Sequence, residues 1–427
     1  MGFAQRWHDI RTGFERPFWV ANISEIFERL SYYAIYAVLA RYLHENLQFT
    51  SEKALSLAGL FGFVWLLAPF GGTVADRLGF RRALSLAYFI LSCAYFLLGS
   101  IGAPWLAGVR AAIPLGALVT IILILPAFGI AIIKPCVVGT TERAAHPNVR
   151  TIGYSIYYTL VNIGGFCGPF VASFTHSHLS VENVFRVAAL SVFLMSIVVL
   201  LFFKEPRRPN EVKTESLAQA ARNFLQVVAN PRFMLFLLIF TGYWVVYWQE
   251  FITWPLFVHD YINPATDTER LLATGPIVVI ALTVAISTLT QKTAALNAVI
   301  LGTFITGIAW VFLATHPTVT FAVITLVVVA LGELTMSPRY YEYCSRLAPS
   351  GQQGTYMGFA FLPLGIGSLI AGPFGGWLVH HYGEVNHQPQ MIWWCVTAVG
   401  VATAVLLLIY DKTLRPKPVE ETQAAAR

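Results

Sequence analysis

Charged residues are scarce in this chain of 427 residues. Asp, Glu, Lys and Arg together make up 12% of it, against about 25% in an ordinary soluble domain. So few charges cannot cover the surface of a water-soluble protein of this length. The composition therefore excludes a string of soluble domains, although the length alone would accommodate about two or three of them.

Cysteine is scarce too, and the sequence contains no catalytic or metal-binding pattern. The 5 cysteines stand singly, without a CxxC pair, so we expect neither a disulfide framework nor a metal site. We interpret them as small buried hydrophobic residues. The sequence also lacks an HExxH motif, a nucleophile elbow and a pair of aspartates at catalytic spacing. We therefore do not expect an intramembrane enzyme, and no bound cofactor is indicated.

Hydrophobic residues are abundant instead, at 56% of the chain. They come in blocks of about twenty, the length that crosses a bilayer core as a helix. We therefore predict an all-α, multi-pass membrane protein. Twelve spans are predicted, at residues 18–43, 54–74, 83–101, 112–138, 152–174, 184–203, 233–258, 271–289, 294–314, 319–338, 355–379 and 392–410.

A polar stretch at 204–231 separates the first six spans from the last six. This arrangement is typical of transporters built from two parallel halves. We predict an N-terminal six-helix bundle at 1–203, a cytoplasmic linker at 204–231, and a C-terminal six-helix bundle with a basic tail at 232–427. Within the linker, apolar residues at helical spacing predict a short helix that lies flat on the cytoplasmic surface. Its cap would be Ser216 and its apolar residues Leu217, Ala221, Phe224, Leu225 and Val228.

The net charge of +6 is distributed unevenly along the chain. Most of the 28 Lys and Arg residues fall on one side of the predicted membrane, which the positive-inside rule assigns to the cytoplasm. Both termini are predicted on that side. We expect a multi-pass protein of the cell membrane, in particular a bacterial inner membrane, with the lipid bilayer and not nucleic acid as its partner. The opening residues lack the apolar core of a signal peptide, so none is expected.

Asp76 and Arg77 occur in the connection after the second span, in the run Gly72-Thr-Val-Ala-Asp76-Arg77-Leu-Gly79. This run resembles the cytoplasmic signature G-x-x-x-D-R-x-G of the major facilitator superfamily. The resemblance implies the major facilitator fold, with twelve transmembrane helices in two six-helix halves. It also implies a gating role for Asp76 and Arg77, because Asp76 would pair with basic groups at the membrane surface and latch the cytoplasmic side.

Ionisable residues within the predicted spans cost about 2.5–3.5 kcal/mol each on insertion, so each needs a partner or a function. Glu25, Glu28 and Arg29 are spaced i, i+3 and i+4 and share one face of the first helix, which Tyr32 and Tyr36 extend. Three further charges lie in the fourth, seventh and tenth spans, at Lys134, Glu250 and Glu333. Six charges within the spans are more than helix packing requires, so their number favours a functional site inside the protein. The alternative is structural: one arginine neutralises two glutamates and holds helices together.

Four segments resemble, in order, the motifs of the proton-dependent oligopeptide transporters. The run Glu25-Ile-Phe-Glu28-Arg29-Leu-Ser-Tyr32-Tyr33 resembles the family's ExxERFxYY motif, with leucine in place of the phenylalanine. Because the segments lie in both halves, the chain is identified as a divergent twelve-span member, whose linker is too short for the two extra helices of many bacterial members. The other three segments are Phe128-Gly129-Ile-Ala-Ile-Ile-Lys134-Pro135, Ser155-Ile-Tyr157-Tyr158-Thr-Leu-Val-Asn162-Ile-Gly164 and Gly332-Glu333-Leu-Thr-Met-Ser337-Pro338.

This resemblance implies symport of di- and tripeptides, or of a peptide-like small polar molecule, by alternating access, with protons as the coupling ion. Lys134 and Glu333 would form a salt bridge across the cavity floor and gate it. Glu28 is favoured as the principal proton carrier because it lies between Arg29 and the expected reach of Lys134. The residues implied in proton coupling are Glu25, Glu28, Arg29, Lys134 and Glu333. The candidate substrate-binding residues are Arg29, Tyr32, Tyr36, Lys134, Asn162, Trp248, Glu250 and Glu333.

The sequence departs from the family pattern in two places. Tyr36 replaces a second basic residue, which weakens recognition of a substrate carboxylate. In the seventh span, Glu250 is shifted by about two positions and would gate the outer side, bind a substrate amine or carry a second proton. It lies among aromatic residues that serve either as lipid and interface anchors or as lining for a cationic or ring-bearing substrate. These aromatics are Trp244, Tyr247, Trp248 and Trp254.

Three functions remain compatible with these charges. The first is proton-driven import of a small-molecule substrate by a monomeric transporter. The second is proton-coupled export of drugs, siderophores or other metabolites on the same fold, because a protonatable acid and a mobile salt bridge do not specify direction. The third is a sensor that binds without transport, which the charges kept in both halves disfavour.

Overall fold

The computed structural model describes residues 12–67, 74–75, 77–146, 149–206, 222, 225–349 and 352–414. These residues are helical almost throughout and contain no β-strand, only an isolated bridge between Phe14 and Ala145. Nine of the described helices are long and apolar enough to cross a membrane. The predicted all-α membrane fold is therefore confirmed.

Most of the helices are spans or parts of spans. In chain order they are α1 (Arg16–Arg41), α2 (Ser51–Leu60), α3 (Phe80–Leu98), α4 (Ala107–Ala112), α5 (Leu115–Arg143), α6 (Arg150–His178), α7 (Val181–Phe202), α8 (Pro231–Tyr247), α9 (Gln249–Ile252), α10 (Trp254–Phe257), α11 (Thr268–Leu272), α12 (Thr274–Thr290), α13 (Ala295–Ala309), α14 (Val311–Thr315), α15 (Val319–Leu347), α16 (Gln353–Phe359), α17 (Leu362–Leu378) and α18 (Gln390–Thr413). The π-helical turns Tyr42–Asn46, Val258–Ile262 and Val379–Val385 continue α1, α10 and α17.

Every predicted span overlaps one or more of these helices, although residues 68–73 of the second span lie outside the described residues and three of the predicted spans are not among the nine apolar ones. Helix α1 carries Glu25, Glu28 and Arg29, which make it too charged to be recognised by composition. Helix α2 has only 10 residues and gives way to a 3-10 turn at Phe61–Trp65. Helix α6 includes polar residues such as Asn162 among its apolar ones.

Polar side chains cap the first turns of several of the helices. The Thr50 side chain accepts a hydrogen bond from the Lys53 N–H at 3.3 Å and caps α2. Asn230 caps α8 by accepting from the Phe233 N–H at 3.2 Å, and Pro231 follows as the first helical residue, where its missing N–H costs nothing.

The seventh predicted span is interrupted, which the sequence analysis did not anticipate. Helix α8 ends at Tyr247, and the chain continues as two single-turn helices separated by Thr253. Pro255 accounts for the second interruption, at Thr253, since a proline inside a helix removes a backbone donor and crowds the carbonyl four residues earlier, here that of Phe251. The Trp248 N–H still donates to the Trp244 carbonyl, and the Ile252 N–H to the Trp248 carbonyl, both at 3.0 Å, so the backbone hydrogen bonds of α8 continue past Glu250.

The helices group into two compact units. One contains residues 1–38 and 70–215, and the other residues 39–69 and 216–427. Helix α2 belongs to the second unit because its backbone lies against α17, where a Cβ added to Gly59 would be 2.7 Å from the Gly372 Cα. The predicted halves at 1–203 and 232–427 place this span with the N-terminal bundle, and that division stays a prediction.

Most of the predicted linker helix lies outside the described residues, including Ser216, Leu217, Ala221 and Phe224. Residues 225–228 are helical, and Leu225 and Val228 are 65% and 44% exposed. Two exposed apolar side chains on one short helix suit a position on the membrane surface, which remains a prediction.

Candidate functional site

Glu28 and Arg29 form a two-point ion pair inside the first unit. Both side chains are buried. The Nε and Nη2 atoms of Arg29 donate to the Oε2 and Oε1 atoms of Glu28 at 2.5 and 2.6 Å. Because one guanidinium bonds to both carboxylate oxygens, the pair has a fixed geometry and each charge is compensated.

Glu25 lies one turn earlier on the same helix and accepts a hydrogen bond from the ammonium group of Lys134. Lys134 also donates to the phenol oxygen of Tyr157 at 3.4 Å. Arg29 Nε lies 3.8 Å from Glu25 Oε1. Two acids and two bases therefore form one network that joins α1, α5 and α6.

One oxygen of this network is not used. Glu25 Oε2 is buried and has no hydrogen-bond partner among the described residues. A buried carboxylate oxygen without a donor is energetically costly. A proton taken up by Glu25 can therefore occupy Oε2 without displacing an existing hydrogen bond, and it would weaken the attraction that holds Lys134. The arrangement is chemically suited to exchanging a proton for movement of the lysine.

Two glycines allow the backbone of α6 to lie directly against that of α1. A Cβ added to Gly164 would lie 2.6 Å from the Ile26 carbonyl oxygen, and one added to Gly168 would lie 2.7 Å from the Leu30 carbonyl oxygen. Both distances are shorter than real Cβ contacts. Gly164, the last residue of a recognised motif segment, therefore has a packing role that the motif alone did not reveal.

The predicted uncharged substrate contacts are largely occupied by intramolecular packing. Tyr32 and Tyr36 are 1% and 0% exposed, and their ring centroids lie 5.7 Å apart. The Arg29 guanidinium carbon lies 4.8 Å from the centre of the Tyr32 ring. Asn162 donates its amide to the Tyr158 carbonyl of its own helix at 2.8 Å. Their substrate-binding role stays a prediction.

In the second unit, Glu250 and Glu333 are placed on separate helices. Tyr247 Oη donates to Glu333 Oε2 at 3.2 Å. Glu250 is buried, and its Oε1 lies close to α12, 3.2 Å from where a Cβ on Gly275 would be. Within the described residues of this unit, neither acid has a lysine, arginine or histidine at ion-pairing distance.

The four aromatic residues of the seventh span are buried inside the second unit. Trp244, Tyr247, Trp248 and Trp254 are between 0% and 8% exposed. Lipid and interface anchors face outward, so the anchor interpretation is wrong for these side chains. The Trp248 indole N–H donates to the Leu364 carbonyl at 2.9 Å, which uses its polar atom in packing.

The sequence predicted a pairing of Lys134 with Glu333, and it favoured Glu28 because this acid lies between Arg29 and the expected reach of Lys134. Lys134 donates to Glu25 instead, so that reason for preferring Glu28 does not hold. The pairing of Lys134 with Glu333 joins the two units and stays a prediction. Tyr157 was not selected as a site residue, although it lies in a recognised motif, and Tyr247 was considered only as a candidate lining aromatic and not as a partner of Glu333.

Of the two predicted cytoplasmic gating residues, Asp76 lies outside the described residues and Arg77 is exposed. The carboxylate that organises the described part of this connection is Glu205, which the sequence analysis missed. Its two oxygens accept from the N–H groups of Phe80 and Arg81 at 2.7 and 3.1 Å. They cap the start of α3, where Gly79 has a φ of +78°, a value that favours glycine.

The comparison with protein families agrees with this architecture. The sequence profile described as Major Facilitator Superfamily matches residues 21–362 and 271–427. The chain belongs to the major facilitator superfamily. As a member, it is a multi-pass membrane transporter and not an enzyme, and its substrate is a small molecule.

Relatives of known name are distant in sequence. This superfamily member is 23% identical over 344 residues to the multidrug resistance protein MdtH of Proteus mirabilis, covering 80% of this chain and 81% of the relative. It is 22% identical to MdtH of Photorhabdus laumondii over 88% of this chain and 90% of the relative. A match to MdtH of Aeromonas salmonicida is 26% identical but covers only 58% of this chain and 59% of the relative.

Solved structures show the same fold in POT family transporters. An auto-inhibited POT family peptide transporter has a TM-score of 0.77 at 16% identity, over 95% of this chain and 98% of that one. A POT family transporter in complex with 5-aminolevulinic acid has a TM-score of 0.75 at 16% identity, over 94% and 97% of the chains. This likeness confirms the predicted major facilitator fold.

Proposed function

We propose that the protein is a proton-coupled symporter of peptides or of a peptide-like small polar molecule, and that the Glu25–Lys134 pair links proton uptake to substrate movement. The observation that carries this proposal is the buried carboxylate of Glu25. One oxygen is bonded to Lys134, and the other has no partner among the described residues. A carboxylate with one engaged oxygen and one vacant oxygen can take a proton without rearranging its surroundings.

Protonation of Glu25 changes what Lys134 can bind. A neutral Glu25 attracts the ammonium less strongly, so Lys134 becomes available to a substrate carboxylate or to the predicted partner Glu333. Glu28 is less suited to this step, because both of its oxygens already accept from Arg29. In this scheme Glu28 and Arg29 hold the local geometry, and Glu25 carries the proton.

The sequence motifs and the fold of POT family transporters support import of a peptide-like molecule. Recognition of its carboxyl end would rest on Lys134, since the second basic residue of the family pattern is Tyr36 here. The substrate amine would meet Glu333, whose carboxylate Tyr247 orients.

A second candidate is proton-coupled export of an organic cation. The relatives named as multidrug resistance proteins support it. So do the two acids of the second unit, which lie beside buried aromatic residues and have no described basic partner in that unit. Carboxylates and aromatic faces are the groups that bind organic cations in proteins.

Proton flux in proteoliposomes separates the two candidates. The full-length protein is reconstituted with a pH-sensitive dye inside the vesicles, and di- and tripeptides, single amino acids and aromatic amines are added in turn. Inward proton movement triggered by peptides is expected for the symporter. Proton movement opposite to that of an aromatic amine, with no response to peptides, would instead establish the exporter and overturn the leading proposal.

Substitution of Lys134 tests whether the network drives transport. Lys134→Ala should abolish gradient-driven uptake in a protein that remains folded. Lys292→Ala is the matched control, because Lys292 is an exposed lysine in a connection and should transport like the unaltered protein. Unchanged driven uptake by Lys134→Ala would remove the coupling role.

A further inference from the structure

Helices α3 and α7 pack tightly through a pair of serines in the first unit. Ser85 Oγ donates to the Ser196 carbonyl at 3.0 Å, and Ser196 Oγ donates to the Ser85 carbonyl at 2.8 Å. Small residues of this kind let two membrane helices approach closely. The bulkier side chains on either side of the contact then form the walls of a groove.

The groove is open to the outside of the bundle and has apolar walls. Its volume is about 340 Å³, within the size range of small-molecule sites. Leu86, Phe89 and Leu200 are each between 44% and 47% exposed, so they face the lipid in a membrane. The complete lining is Arg82, Ser85, Leu86, Phe89, Ser196 and Leu200.

Arg82 places a positive charge at the mouth of this groove, on the side that the sequence predicts to be cytoplasmic. It is exposed and forms no hydrogen bond or ion pair with another described residue. The neighbouring Arg81 is already engaged, since its Nε donates to the Leu200 carbonyl at 2.9 Å. The N–H groups at the start of α3 are likewise taken by Glu205. Arg81 keeps its charge in that bond, because a carbonyl is neutral, but its guanidinium is held against Leu200, and Arg82 is the basic residue that lines the groove.

We propose that this groove binds an anionic phospholipid of the cytoplasmic leaflet. The phosphate would bond to Arg82, and an acyl chain would lie along Leu86, Phe89 and Leu200. Charge complementarity supports this occupant, because basic pockets between helices on the cytoplasmic side bind anionic headgroups. The apolar walls favour a lipid over free phosphate, which has no surface to bury there.

Native mass spectrometry of the full-length protein tests the proposal. Protein purified from its membrane is incubated with phosphatidylglycerol or phosphatidylcholine of equal chain length, and bound lipid is counted. Phosphatidylglycerol should bind more tightly, and Arg82→Gln should weaken its binding about fivefold, the contribution of one basic residue near an anionic surface. Arg186→Gln is the matched control, because Arg186 is an exposed arginine at the opposite end of α7 and should bind lipid like the unaltered protein.

A second substitution tests the groove without altering charge. Leu200→Trp places a larger side chain in the groove. It should also reduce the binding of phosphatidylglycerol, because less space remains for the acyl chain. Equal binding of phosphatidylcholine, or unchanged binding after Arg82→Gln, would overturn the headgroup assignment. Displacement of the lipid by millimolar inorganic phosphate would show that the site recognises a free anion and would equally overturn it.

Discussion

Lys134 donates a hydrogen bond to Glu25, although 109 residues separate the two in the sequence. The bond joins α5 to α1. Glu28, on the same helix as Glu25, pairs with Arg29 instead. Two adjacent acids on one helix face therefore have different surroundings. Glu25 has one oxygen without a described partner, whereas both oxygens of Glu28 accept from a guanidinium. A helix that carries both acids can thus divide proton exchange and structural support between them.

Glu25→Gln should uncouple substrate movement from the proton gradient. An amide preserves the size of the side chain and can still accept from Lys134, but it cannot take up a proton. We expect gradient-driven accumulation to be lost while exchange of labelled for unlabelled substrate across the membrane continues. Both rates are measured in the same proteoliposome preparation.

Glu52→Gln provides a control, because Glu52 is an exposed glutamate in the first turn of α2. It should leave both rates unchanged. If Glu25→Gln still concentrates substrate with a proton gradient, Glu25 is not the proton carrier, and Glu28 becomes the next candidate to substitute.

Glu28→Ala should destabilise the protein strongly. It leaves the buried Arg29 without its two-point partner, and removal of one member of a buried ion pair costs about 3–5 kcal/mol. Thermal unfolding in detergent should show a clearly lower midpoint. Glu15→Ala removes an exposed glutamate and is expected to change stability by less than about 0.5 kcal/mol. Similar midpoints for the two variants would contradict a structural role for the Glu28–Arg29 pair.

Gly164→Ala should separate α6 from α1. The added Cβ would lie 2.6 Å from the Ile26 carbonyl oxygen, and overpacking of this kind costs about 1–3 kcal/mol. The unfolding temperature should fall. Substrate affinity should fall too, because α6 carries Tyr157, which contacts the proposed substrate-binding residue Lys134. Gly108→Ala is the control, since a Cβ there has no neighbour within 4 Å. Equal stability of the two variants would show that α6 is not held by this contact.

Arg41→Ala tests a second charged cluster, located at the end of α1 in the second unit. Arg41 Nε lies 2.8 Å from Glu45 Oε1, and its Nη1 lies 3.7 Å from Oε1 of the buried Glu269. Loss of the arginine should cost about 1–3 kcal/mol, because it removes a partner of a buried acid. Thermal unfolding at low and high salt measures this cost.

Arg270→Ala is the comparison for that cluster. Arg270 pairs with Asp267 at 3.0 Å, but its side chain is 57% exposed. Exposed pairs contribute only about 0.2–1 kcal/mol and are screened by salt. The two variants are compared directly by their unfolding midpoints. If Arg270→Ala lowers stability as much as Arg41→Ala, then burial does not make the Arg41 contacts stronger than the exposed Arg270–Asp267 pair.

The candidate site was predictable in its composition but not in its pairings. Periodicity placed Glu25, Glu28 and Arg29 on one helix face, and charge scarcity within the spans singled out Lys134 and Glu333. Which acid Lys134 contacts depends on the distance between α1 and α5, which no spacing within one helix specifies. The burial of Trp254 likewise depends on the helices around it, because an anchor and a core tryptophan look alike in sequence.

The sequence by itself determined the helical membrane fold and the set of charges in its interior. A bilayer admits only segments whose backbone polar groups bond internally, so long apolar blocks must become helices and the few charges among them must have a purpose. Tertiary structure decided what those charges touch. Contacts such as that of Gly164 with Ile26, and the different partners of Glu25 and Glu28, arise from helices that are distant in sequence. Their approach is governed by the shapes of the packed side chains.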